Sequence, residues 1–161
     1  MAENTDDIQK VRDIIKGTRI AMLTHVDGDG HLVSKPMATQ EVEFDGDLWF
    51  FAERSSRKVG HLDAHPEVNV TVGSGSTWVS LTGRAVVVDD PAKKRELWNG
   101  GVAAWFPDGP DQATSILVEA EAAEYWDSSG SSIAHIASFV RATVSRGDRT
   151  PDMGDSGTVE L

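Results

Sequence analysis

Segments of alternating polarity recur along this chain, separated by Gly-containing reversals or by short helical stretches. Residues 19–25, 31–44, 47–53, 67–73, 77–88 and 114–126 read as strands, because apolar and polar side chains alternate with a period of two. Val26-Asp27-Gly28-Asp29-Gly30, Asp45-Gly46 and Gly73-Ser74-Gly75-Ser76 supply the residue types that accept positive φ. Asp45-Gly46 is the clearest hairpin signal, and it predicts that 31–44 pairs with 47–53. Pro36 cannot donate to a ladder, so its strand belongs at an edge or carries a bulge, and Gly83 marks a bulge in 77–88. Helical pattern is confined to 5–16 (capped by Thr5 or Asp6, ended by Gly17), 56–64, a stretch from Asp90-Pro91 to Trp98, and 132–142. Consecutive hairpins favour an antiparallel sheet. Six such strands, with so little helix to cover both faces, close most simply into a barrel.

A length of 161 residues predicts one domain, placed here over 1–144, followed by a polar, mobile tail at 145–161. The formal net charge of −11 argues against nucleic acid and against docking on anionic lipid, both of which select basic surfaces. With no cysteine, the chain holds no disulfide, thiolate nucleophile or zinc–thiolate site. The acidic start, Met1 to Asp7, does not resemble a secretory signal, and no apolar stretch is long enough to span a bilayer. The expectation is a soluble, cytoplasmic protein without a membrane partner.

Against this acidic background, Arg54, Arg57 and Lys58 place three cations within five residues. They follow the apolar strand Leu48-Trp49-Phe50-Phe51-Ala52 and share a loop with Ser55 and Ser56, just before a helix. Hydroxyls, a guanidinium, an ammonium and a helix N-terminus suit a phosphate monoester; equally, the same residues could form a solvated, helix-capping turn. The Pro-interrupted strand Ser34 to Gln40 leaves backbone groups free, and Lys35, Thr39 and Gln40 add polar side chains that could border a flat heteroaromatic ring. The alternative is an edge strand with solvated polar positions. Most of the five tryptophans are expected in the core; Trp105, in the loop-like Trp-Phe-Pro-Asp-Gly-Pro, could cover a ring or plug a barrel end. His61 and His65 share helical spacing but lack further ligands, and the Asp27–Gly30 turn has the wrong glycine offset for a calcium loop, so no metal site is assigned. Spacing reveals no nucleophile–base arrangement, and no catalytic residue is named.

Taken together, the Pro-Met strand, the Asp-Gly turn, the Trp-Phe-Phe strand, the Ser56-Arg57-Lys58 loop, Trp105 to Gly109 and Glu124-Tyr125-Trp126-Asp127 resemble the pyridoxamine 5'-phosphate oxidase-like, flavin-binding split-barrel superfamily. The similarity spans about residues 6–128 and is greatest to its general stress protein branch. The resemblance implies a mainly β fold with flanking helices, a six-stranded antiparallel split β-barrel that forms a homodimer and binds FMN, with FAD or a deazaflavin as alternatives. It implies that Ser56, Arg57 and Lys58 hold the phosphate, that Phe51 and Ala52 lie at the strand end beside it, and that Lys35, Pro36, Met37, Thr39 and Gln40 run along the isoalloxazine ring. Trp105 is expected to reach the cofactor, from its own or from the second subunit. Residues 129–161 show no equivalent of the oxidase's substrate-gripping Arg and His segment, so the resemblance does not carry vitamin B6 oxidation. The expected activity is flavin-dependent oxidoreduction of a small organic substrate; the alternatives are a non-catalytic flavin carrier of the stress type and a deazaflavin-dependent reductase.

Overall fold

The computed structural model describes residues 2–40, 44–127, 136–137 and 155–160. Helix α1 (Ala2–Lys16) leads into β1 (Ile20–Val26) and β2 (Leu32–Ala38); β3 (Asp47–Glu53) is followed by α2 (Arg57–Ala64). Then come β4 (Glu67–Ser74), β5 (Thr77–Val88), α3 (Pro91–Leu97), α4 (Gly100–Ala103), a 3₁₀ turn (Pro110–Gln112) and β6 (Ala113–Asp127). Two short strands, β7 (Ile136–Ala137) and β8 (Asp155–Glu160), complete the described elements. No described helix is long and apolar enough to cross a membrane.

The fold is mainly β with flanking helices: six antiparallel strands form a curled half-barrel in the order β2-β1-β4-β5-β6-β3. Alternation decides which face is buried. Ala21, Leu23 and His25 of β1 point inward with Leu48, Phe50 and Ala52 of β3 and with Val68, Val70 and Val72 of β4. Helix α1 adds Val11 and Ile15 to this core, and α2 adds Leu62. Tyr125 is buried in the same cluster, and its hydroxyl donates to Asp7 Oδ1 at 2.7 Å, which ties α1 to β6. The expected bulge is present. The β5–β6 register shifts between Thr82 and Gly83, and the inward positions of β6 change from Ile116 and Val118 to Ala123 and Tyr125 across it. A Cβ on Gly83 would lie 2.2 Å from the Glu119 carbonyl oxygen, so only glycine permits this approach.

Several expectations are corrected. Asp45-Gly46 does turn the chain, with Gly46 at φ 114°, but β2 and β3 do not pair. β2 ends at Ala38 and pairs with β1; β3 pairs along its whole length with the first half of β6. β2 and β3 are the free margins of the half-barrel, and Pro36 sits on one of them, where a missing donor costs least. Helix α1 begins at Ala2, so Thr5 and Asp6 lie within it rather than capping it. The tryptophans are not core: Trp49, Trp98 and Trp126 are half-buried, and Trp78 and Trp105 are exposed. Of the helix expected over 132–142 only Ile136–Ala137 is described, and it is extended; the rest lies outside the described residues. Within 145–161, Asp155–Glu160 runs as β8 along the second half of β6, and the remainder also lies outside them.

Candidate functional site

The phosphate corner is built by the passage from β3 into α2. Ser56 N–H donates to the Glu53 carbonyl at 2.9 Å, closing a turn directly after the strand. Ser56 then occupies the N-cap of α2 with extended backbone (φ −64°, ψ 132°), yet its hydroxyl makes no capping bond. The first turn of α2 carries no acidic residue, so the helix presents unsatisfied N–H groups and a free hydroxyl together. Lys58 is half-buried, and its ammonium donates to Met37 Sδ on β2 at 2.9 Å. Burial pushes the Lys58 pKa down, and the neighbouring Lys35 charge lowers it further. Lys35 and Arg57 are exposed and have no protein partner among the described residues.

Arg54 behaves otherwise. Both of its terminal nitrogens donate to the Asp89 carboxylate, at 3.3 and 3.2 Å. Ser55 Oγ is likewise engaged, with Glu53 Oε1 at 3.2 Å. The loop therefore separates into a satisfied half and a half whose donors face no acid.

Sequence reasoning missed the pair beneath this corner. His25 is buried on β1, and its ring stacks on His61 of α2 with centroids 5.7 Å apart. Both Nδ1 atoms are buried without a hydrogen-bond partner. Burial is the main cause that holds the His25 pKa below its ordinary value; His61, Lys58 and Lys35 push the same way and Asp27 opposes them. The signal was available: alternation in β1 puts His25 on the face of Ala21 and Leu23.

The expected site residues fall into distinct places. Lys35, Met37, Ser56, Arg57 and Lys58 gather at the corner. Pro36, by alternation, faces away from Lys35 and Met37. Thr39, Gln40 and Trp105 line a separate cleft of about 1170 Å³ between α1, the start of β1 and the loop around α4. Thr39 Oγ1 donates to the Thr18 carbonyl at 2.5 Å, and Gln40 Oε1 is buried with no partner. Phe51 points to neither place: its ring meets Trp98 and Phe106 edge-on, with centroids 5.6 and 6.5 Å away. Ala52 is packed in the core.

Comparison with known proteins places this geometry. The family model described as "Pyridoxamine 5'-phosphate oxidase like" matches residues 6–152. The chain belongs to that family. It is 31% identical over 107 residues to protein bli-3 of Neurospora crassa, and it spans about half of that relative (51%), with 62% of this chain covered. Among solved structures, it is 27% identical to the general stress FMN/FAD binding protein of Xanthomonas citri, with a TM-score of 0.68 over 89% of this chain and 99% of that one. A general stress family protein from Xanthomonas campestris is 29% identical, with a TM-score of 0.69 over 91% and 100% of the two chains. The fold of a general stress protein 26 from Jannaschia agrees too, at 22% identity and a TM-score of 0.69, covering 98% and 99%. The match is therefore to the general stress members of the pyridoxamine 5'-phosphate oxidase-like family.

Proposed function

We propose that this protein binds a flavin as FMN, with the phosphate at the corner formed by Lys35, Ser56, Arg57 and Lys58, and serves as a flavin-dependent oxidoreductase on a small organic substrate. The observation that carries the reading is the Lys58 ammonium: half-buried, lowered in pKa, with a thioether as its one acceptor among the described residues and a second cation beside it. A buried charge without a counter-ion is costly, and a dianion at this corner removes the cost. The residues fit the group: a guanidinium, two ammonium groups, a free hydroxyl and a helix N-terminus, with no carboxylate among the corner residues. At about 3.3 Å per residue, β2 carries the chain roughly 10 Å from Lys35 to its end at Ala38, beside Thr39 and Gln40, a path that can follow a ring system away from the phosphate.

Bound flavin supplies the redox chemistry. The protein's part is to hold and orient it. Arg57 and Lys58 grip the phosphate, Ser56 donates to it, and Thr39 and Gln40 offer polar groups farther along the β2 line. Ile20, Met22 and Trp78 are exposed on the outward face of β1 and β5, apolar side chains suited to contact with a second copy of this chain. A cysteine-free chain of this kind is suited to a reducing cytoplasm.

The test is reconstitution. The protein is stripped, mixed with FMN, FAD, riboflavin or a deazaflavin mononucleotide, and the visible absorbance retained after gel filtration is measured. Retention of FMN in preference to riboflavin supports the corner. No retained flavin of any kind removes the reading. Loaded protein that no reductant or substrate can cycle keeps the flavin site and removes the oxidoreductase.

A further inference from the structure

The cleft beside α1 carries a charge pattern that the phosphate corner does not explain. Among the described residues its charged lining side chains are Arg12, Asp13, Lys16 and Arg19, three cations against one acid, in a chain whose formal net charge is −11. Asp13 is occupied by Gln9 Nε2 at 2.9 Å. Arg12 spends one donor, Nε, on the Phe44 carbonyl at 3.0 Å, which fixes the root of its guanidinium. Lys16 and Arg19 are exposed and have no protein partner among the described residues. A cleft whose lining carries an excess of one sign of charge attracts ligands of the opposite sign. Among the described residues the rest of the lining mixes apolar groups, including Ile15, Ile20, Val102 and the Trp105 ring at 67% exposure, with the amides of Gln9, Gln40 and Asn99 and the hydroxyls of Thr18 and Thr39.

We propose that this cleft binds a small organic anion, a carboxylate carried on a flat apolar body. Lys16 and Arg19 take the carboxylate, and Trp105 covers the apolar body. That this anion is the substrate rests on the flavin reading, since Thr39 and Gln40 put the cleft at the far end of the strand line that starts at the phosphate corner. Anion binding itself does not depend on that reading.

The experiment titrates FMN-loaded protein with sodium benzoate and, in parallel, with benzamide, a neutral molecule of the same shape, and follows tryptophan fluorescence and the visible flavin band. Benzoate is expected to saturate the signal with a Kd about tenfold below that of benzamide, as a charge-assisted contact requires. Lys16→Gln with Arg19→Gln is expected to raise the benzoate Kd about tenfold while the FMN Kd stays unchanged. Arg95→Gln, which removes an exposed cation outside the cleft, is expected to change neither. Equal affinity for the two probes, a benzoate Kd unmoved by the double substitution, or equal weakening by Arg95→Gln would each overturn the proposal. If FMN is not retained, the same titration is run on the flavin-free protein. Benzoate binding there that is sensitive to Lys16 and Arg19 keeps the cleft while the corner reading falls; its absence removes both.

Discussion

Arg54 and the Arg57–Lys58 pair lie within one short loop and share its composition, yet they do different work. Arg54 closes a two-pronged contact with Asp89, the residue just after β5, and is finished as a surface ion pair. Lys58 turns under β2 and finds a methionine sulfur, while Arg57 and Lys35 find no protein partner among the described residues. A run of cations in sequence says little by itself. What distinguishes a binding group from a solvated one is whether the fold supplies its counter-ion. Here α2 starts without an acid in its first turn, and β2 contributes another cation.

That contrast can be broken at several points. The largest effect is expected in the double substitution Arg57→Ala with Lys58→Ala, where loss of two charge-assisted contacts lowers FMN affinity by about a hundredfold or more. Equilibrium dialysis measures it, and an unchanged affinity would detach the phosphate from this corner. A second effect concerns the loop that presents Trp105. Lys94 is buried, and its ammonium donates to the carbonyls of Ala113 at 2.7 Å and Pro110 at 3.2 Å, which staples α3 to the loop's end. Lys94→Met leaves those acceptors unpaired, and thermal unfolding is expected to register a loss of about 1–3 kcal/mol.

A smaller effect is expected from pH. The folded-state pKa of His25 lies below its unfolded value of 6.5, so the unfolded chain binds the proton more readily. The stability that neutral His25 contributes is complete above that value and declines as pH falls through it. Melting curves between neutral and mildly acidic pH are expected to show this decline, and His25→Gln to flatten it; identical slopes would show that the buried pair is not the group responsible. The smallest effect is predicted for Arg54→Ala, which leaves FMN affinity unchanged because Asp89 already accounts for that cation. A loss comparable to that of Arg57→Ala would erase the distinction between the two halves of the loop.

Much of this architecture is legible in the chain before any coordinates. Alternation places β3, β4 and β5 almost to the residue, Asp90 caps α3 by accepting from Ala92 and Lys93 N–H, and Gly83 marks the β5–β6 bulge. These are local signals, carried by side-chain period, turn chemistry and caps. The β2–β3 relation is not local. Asp45-Gly46 has good hairpin chemistry, but the ladder of β3 is taken by β6, from the other end of the sheet. A turn signal reports that the chain reverses, not which strand will supply the hydrogen bonds. The site divides in the same way. The Ser56-Arg57-Lys58 motif could be read directly, whereas the stacking of His25 on His61, and the gathering of Arg12, Lys16 and Arg19 at one cleft, depend on how α1 and α2 pack on the sheet. No spacing along the chain encodes that packing.

If the corner of Lys35, Ser56, Arg57 and Lys58 holds the phosphate, that group contributes a large share of the cofactor's binding energy. The most direct measurement is the ratio of the dissociation constants for riboflavin and FMN, two ligands that differ only by the phosphate group. FMN is expected to bind at least about a hundredfold more tightly, from two or more charge-assisted contacts. Equal affinities for the two would contradict it.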